Sequence, residues 1–258
     1  MIELDQNTSS IILAVFGICS AVILIFTPAY YGKFAPKKRT LFMINSSSSW
    51  FIFEVVSPAM FIYTYLKQRE GPLQVNFIAV MYLTHYFLRT FVYPFVRISK
   101  GKSSKTPLEI TIMAMISNTF IGNANGHGAA LKEMDGSLCC SFGCFKDPLF
   151  VVGFLLFWIG MAINWHSESV LRSLRKGGKK TYSIPYGGLF KYVSCAHYFG
   201  ELLEWTGYAI ASRTIGSIIF TLFTAFNLVP RAFKTHKWYH EKFEDYPKER
   251  KILIPKII

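Results

Sequence analysis

Seven long apolar stretches, each closed by polar or charged residues, constrain this chain more than any other feature. They cover about 10–31, 49–67, 74–96, 107–124, 148–167, 198–212 and 214–232. A helix of about 20 apolar residues matches the hydrocarbon thickness of a bilayer, and lipid leaves backbone polar groups no partner but their own helix. The pattern therefore predicts an all-α integral membrane protein with seven transmembrane helices. The sixth stretch is short and carries Glu201 and Glu204.

The basic residues orient these spans. Lys33, Lys37, Lys38 and Arg39 follow the first stretch, and Arg97, Lys100, Lys102 and Lys105 follow the third. Arg172, Arg175, Lys176, Lys179, Lys180 and Lys191 follow the fifth, and the C-terminal tail is rich in Lys and Arg. The loops between carry few cations, and the N-terminal tail holds Glu3 and Asp5 with none. The positive-inside rule then puts the N-terminus lumenal or outside and the C-terminus in the cytoplasm. A formal charge of +13 could suggest nucleic acid, but the cations fall between apolar segments. A membrane surface or an anionic cofactor fits them better, and no nucleic-acid partner is expected. The length allows one large domain, read as a single polytopic unit, 1–258, and a monomer is expected.

Charged groups inside spans cost about 2.5–3.5 kcal/mol each on insertion scales, so they mark places with a purpose. Glu54 lies within WFIFEVVSPAM of the second stretch. Tyr82, Tyr86, Arg89 and Tyr93 stand at offsets 0, 4, 7 and 11 in the third, one helix face. His197, Glu201, Glu204 and Tyr208 repeat that spacing in the sixth. Where the fifth stretch leaves the oily region, Asn164, Glu168, Arg172 and Arg175 follow at offsets 0, 4, 8 and 11. Such stripes suit either helix–helix contacts or a shared polar cavity, and three of them favour the cavity. Arginine at a span's end suits phosphate, because its planar fork binds oxygens bidentately.

Other motifs carry less. Gly126–His127–Gly128 lacks the third glycine and the preceding strand of a dinucleotide fingerprint. Cys139, Cys140 and Cys144 share one loop, where a disulfide is possible, but His127 is too distant for a zinc set, and no metal is expected. His236 and His240, four apart, are read as a solvated helix face rather than a metal site. The polar, acidic start, Met1–Ser10, lacks the basic region of a cleavable signal peptide.

The stretches GMAINWHSESVLRSLRK, IPYGGLFKYVSCAHYFGELLEW, NLVPRAFKTHKWYHEKFEDYPKERKILIP and THYFLRTFVYP, with AYYGK and WFIFE, resemble the steroid 5α-reductase family across most of the chain. The resemblance implies a seven-span helical reductase with a cytoplasm-facing NADPH pocket, to which about 148–258 contributes most. It implies reduction of the Δ4 double bond of a 3-oxo-4-ene steroid to the 5α-dihydro product, with hydride passing from NADPH to the enone β-carbon. Tyr86 and Glu54 match the catalytic pair that polarises the substrate carbonyl, and Trp50, Phe53 and Arg89 fall in the substrate pocket. Lys33, Asn164, Glu168, Arg172, Arg175, Tyr182, His197, Glu201, Arg231, Tyr239 and Arg250 match cofactor-side positions. Three positions depart from the pattern: Phe53 stands before the glutamate where animal members often have glutamine, Glu168 replaces an aspartate, and His197 replaces an asparagine. The implied partners are a lipophilic steroid or sterol-like molecule and membrane lipid. The implied location is the endoplasmic reticulum in a eukaryote or the inner membrane in a bacterium. A reductase of another lipid alkene, a trans-2-enoyl thioester or a polyprenol, is the close alternative. A membrane methyltransferase is the alternative from another class.

Overall fold

The computed structural model describes residues 5–27, 42–70, 75–94, 105–134, 142–174 and 182–258. These form α1 (Gln6–Phe26), a short strand β1 (Met43–Asn45), α2 (Ser46–Glu54), α3 (Val56–Gln68) and α4 (Phe77–Phe87). A π-helical turn, Leu88–Val92, extends α4 and is followed by β2 (Lys105–Pro107) and α5 (Leu108–Met134). Then come α6 (Pro148–Ser173), α7 (Ala196–Ser212) and α8 (Ile215–Lys242). β1 and β2 pair antiparallel, with Ile44 opposite Thr106.

Local chemistry sets the helix starts. Asp5 accepts from the Thr8 N–H, Asn45 from Ser47 and Ser48, Asn76 from Ile78 and Ala79, Asp147 from Leu149, and Thr214 from Ser217. Each of these side chains satisfies an amide that the first turn leaves without a partner. The break between α2 and α3 also has a covalent cause. Pro58 has no N–H to give the Glu54 carbonyl four residues back, so the helix loosens just after that glutamate.

Helices occupy all seven expected places. Four regions are long and apolar enough to cross a membrane: Gln6–Phe26, Ser46–Gln68, Pro148–Ser173 and Ile215–Lys242. Phe77–Val92 is a shorter apolar helix. The outward faces are apolar: Ile11, Val15, Ile18, Val22, Leu149, Leu155 and Ile159 are all at least half exposed. The inward faces hold Ser9, Ser57, Glu54, Glu204 and Tyr82, all buried. Apolar surface outside and polar groups within is the pattern a lipid solvent selects. Several helices also outrun their apolar stretches, α5 to Met134, α6 to Ser173 and α8 to Lys242. Hydropathy ends where lipid ends, but a helix continues until its backbone is capped.

The core is aromatic, with Phe61, Tyr82, Tyr86, Phe157, Trp205, Tyr208 and Phe220 in one cluster. Around it α6 lies along α7, α3 along α5, and α1 along α8. The α6–α7 contact is close at Gly160 and Gly200, as it is at Gly153 and Gly207. A Cβ on Gly160 or Gly200 would fall onto the backbone nitrogen of Glu204 or Asn164, so only glycine permits this approach.

Candidate active site

Three elements converge on one guanidinium. Arg89, on the π-turn, places Nε 3.4 Å from a carboxylate oxygen of Glu54 at the end of α2, and Nη2 3.9 Å from Glu201 on α7. Its plane also lies over the rings of Trp50 (4.7 Å) and Tyr93 (5.4 Å), which adds cation–π attraction. Trp50 packs on Phe53, whose carbonyl accepts from Asn118 Nδ2 at 2.7 Å. Glu54 is buried, and a partner of opposite charge is what makes such burial tolerable.

Tyr86 is buried one turn before Arg89 and lies among Ser57, Tyr82 and Glu54. Ser57 and Tyr82 share a 2.5 Å hydrogen bond, and the Tyr82 and Tyr86 rings are 4.7 Å apart. Next to Tyr86, His85 Nδ1 meets Glu204 Oε1 at 2.7 Å, and both groups are buried. Phenols, carboxylates and a guanidinium thus sit together in the part of the bundle that its hydropathy assigns to lipid.

On the face that the resemblance assigns to the cofactor, Asn164 Nδ2 donates to the His197 carbonyl (2.9 Å) and to Glu201 Oε2 (3.4 Å). The Tyr93 hydroxyl donates to Glu168 Oε2 at 3.5 Å, tying the third stretch to α6. Arg172 lies over the Trp165 ring at 5.3 Å. His197 packs its ring on Tyr198 at 4.0 Å.

A second group gathers at the C-terminal end. Arg250 donates to the Pro185 carbonyl (2.9 Å) and lies over Tyr186 and Tyr246. Tyr239 stacks on Tyr246 at 5.2 Å, and Tyr182 sits edge-on to Trp238, also at 5.2 Å. Arg231 is half-buried eight residues before Tyr239 on α8. Ser194 joins His236 Nδ1 and the Tyr246 hydroxyl, each at 2.6 Å. His236 is therefore not the solvated residue that its spacing suggested, because the segment leading into α7 brings Ser194 against it. Among the described residues no cluster of three or more His, Cys, Asp or Glu side chains could hold a metal.

Lys33, Arg175, Cys139 and Cys140 lie outside the described residues, while Cys144 is buried. The residues present suit an anionic dinucleotide. Arg172 Nη1 and Arg250 Nε are buried and have no hydrogen-bond partner among the described residues, as donors kept for phosphate or ribose oxygens would be. His85 and Ser57 went unremarked in the sequence. His85 was legible only as the neighbour of Tyr86, because its partner Glu204 is 119 residues away.

The bundle defines an all-α membrane protein with a buried interior site of ionisable side chains. The profile described as 3-oxo-5-alpha-steroid 4-dehydrogenase matches residues 104–258. The rat protein named 3-oxo-5-alpha-steroid 4-dehydrogenase 1 is 42% identical over 231 residues, covering 88% of this chain and 86% of its own. The human protein of the same name is 39% identical, covering 89% and 86%. Human 3-oxo-5-alpha-steroid 4-dehydrogenase 2 is 36% identical, covering 90% and 89%. The chain belongs to the 3-oxo-5-alpha-steroid 4-dehydrogenase family.

Proposed function

We propose that this protein is an NADPH-dependent oxidoreductase that reduces the Δ4 double bond of 3-oxo-4-ene steroids to 5α-dihydro-3-oxosteroids. The observation that carries the reading is the junction of Tyr86, Glu54 and Arg89 inside a lipid-facing bundle, in a chain about 40% identical to relatives named for this activity. When bound, NADPH would supply the hydride for the enone β-carbon, and a proton taken up at the adjacent α-carbon would complete the reduction.

The chain's own residues do the rest. As electrons move toward the 3-oxo oxygen, the Tyr86 hydroxyl donates to it, and a phenol's bond strengthens as that oxygen gains charge. Glu54 acts beside it, as a second donor when protonated, and Arg89 limits the electrostatic cost of holding Glu54 in this interior. Trp50 and Phe53 offer flat apolar surface to a steroid skeleton. Asn164, Glu168, Arg172, Arg175, His197 and Glu201 take the cofactor from the α6–α7 side, and Tyr182, Arg231, Tyr239 and Arg250 from the C-terminal side. Lys33 joins them from the first loop. The chain acts as one polytopic domain and a monomer, with seven spans, a lumenal N-terminus and a cytoplasmic C-terminus, in the endoplasmic reticulum membrane of a eukaryotic cell.

The test is NADPH oxidation by membranes expressing the chain, with and without a Δ4-3-oxosteroid, with the product identified by mass spectrometry. A 5α-dihydro product that disappears in Glu54→Ala and Tyr86→Phe supports the reading. Intact NADPH binding with no turnover across a steroid panel would turn it toward another lipid alkene.

A further inference from the structure

One buried ionisable pair takes no part in the chemistry above. Glu204, 1% exposed on α7, holds His85 Nδ1 at 2.7 Å, and His85 immediately precedes Tyr86 on α4. The next residue of α7, Trp205, packs against both rings of that dipeptide, with centroids 4.4 Å from His85 and 6.2 Å from Tyr86. The His85 and Tyr86 rings are 5.2 Å apart and nearly perpendicular. Two consecutive residues of α7 therefore grip two consecutive residues of α4, one through a hydrogen bond and one through ring contact. Glu204 also sits one turn after Glu201, within electrostatic range of Arg89.

We propose that Glu204, acting through His85, is a positioning residue that fixes the Tyr86 phenol for its encounter with the substrate carbonyl. The proposal rests on the functional reading above. Its physical basis is directional. Ring packing alone lets a phenol rotate and slide, whereas a buried hydrogen bond at the adjacent residue fixes the rotation of α4 about its axis. With that rotation fixed, the Tyr86 hydroxyl stays turned toward Ser57, Tyr82 and Glu54. A catalytic donor displaced by about 1 Å can cost roughly 100-fold in rate, so this contact has leverage on turnover without touching substrate.

The test is a double-mutant cycle. Glu204→Leu keeps the volume and removes the acceptor. It should lower kcat by ~10–100-fold while leaving the KM for NADPH within about twofold. In a Tyr86→Phe background the same change should cost almost nothing further, because the group being positioned is already gone. Glu204→Gln still accepts from His85 and should restore turnover to within about threefold of wild type. Equal losses in both backgrounds, or a glutamine variant as slow as the leucine one, would overturn the proposal. Should Glu204→Leu fail to fold, His85→Gln weakens the contact from the α4 side and is read in the same way.

A second readout needs no turnover. With 3-fluorotyrosine at position 86, the ¹⁹F resonance of the detergent-solubilised protein should be a single sharp line in the parent and in Glu204→Gln. It should broaden or split in Glu204→Leu, and an unchanged line there would refute the positioning role whatever the substrate proves to be. A parent protein inactive on every Δ4-3-oxosteroid would instead strike at the functional reading and leave this test standing.

Discussion

Replacing Gly200 with alanine tests the α6–α7 contact on which the proposed cofactor residues Asn164 and Glu201 depend. A new Cβ there would lie 2.8 Å from the Gly160 carbonyl oxygen and 2.9 Å from the Asn164 Cα, besides overlapping the Asn164 nitrogen. Ordinary contact needs about 3.3–3.6 Å to the oxygen, so the helices must part by about 0.5 Å or more. That movement stretches two bonds of Asn164, to the His197 carbonyl from 2.9 Å and to Glu201 from 3.4 Å. The second bond is already long and would be lost. Overpacking costs roughly 1–3 kcal/mol and a lost hydrogen bond about 1 kcal/mol, against which alanine's better helix propensity returns about 1 kcal/mol. The net expectation is a destabilisation of about 1–3 kcal/mol. NADPH affinity should fall by roughly tenfold as Asn164 and Glu201 separate. Thermal unfolding in detergent and a cofactor fluorescence titration read the two effects. Propensity alone predicts the opposite sign for stability, so a Gly200→Ala protein that melts no lower and binds NADPH as before would refute the argument.

Other residues give sharper or simpler outcomes. Tyr86→Phe should reduce kcat by ~10²–10³-fold with little change in the KM for NADPH, as expected when a donor to developing charge is removed; steady-state kinetics on a Δ4-3-oxosteroid decide it. Arg172→Ala should raise the KM for NADPH by roughly 10–100-fold, the equivalent of one or two charge-assisted bonds, while kcat at saturation stays near normal. Asp147 gives a pH dependence. Desolvation pushes its carboxyl up, but the Leu149 N–H and the paired Arg213 guanidinium outweigh it and hold the group below the ordinary aspartate value of 3.8. Its contribution to stability is therefore complete above that value and lost as the pH falls through the lower, folded one. Melting curves across the acid range should show this limb in the parent protein and not in Asp147→Asn.

Much of this was legible in the sequence, and the parts that were not have physical reasons. The helices were found where expected because apolar runs that long have few other structures available. Their ends were missed by up to ten residues, as at α8, because caps and not hydropathy stop a helix. The facing stripes of the third and sixth stretches were visible as period-3.6 patterns, and they do meet, at Arg89–Glu201, whereas Glu204 is met by His85, which stands outside the third stretch's stripe. The partners could not be read, because spacing along one helix says nothing about the rotation of its neighbour. His236 misled for the same reason. Its own helix offers it to water, and only the return of the chain from Val193 to Lys251 sets Ser194 against it.

One arginine, in the π-turn, serves two carboxylates. In Leu88–Val92 the Tyr93 N–H bonds the Leu88 carbonyl five residues back, so this turn is wider than the α-helix before it. Arg89 stands in this turn, where α2 and α7 both face the third stretch. Pro58 loosens α2 at Glu54, and Gly200 lets α7 carry Glu201 close to Asn164. Two breaks in regular helix thus fall beside Glu54 and Arg89, and a close glycine contact falls beside Glu201. Each break has a cost that an idealised bundle would avoid. Through Glu54 and Glu201, one guanidinium joins the Tyr86 side of the bundle to the Asn164 side.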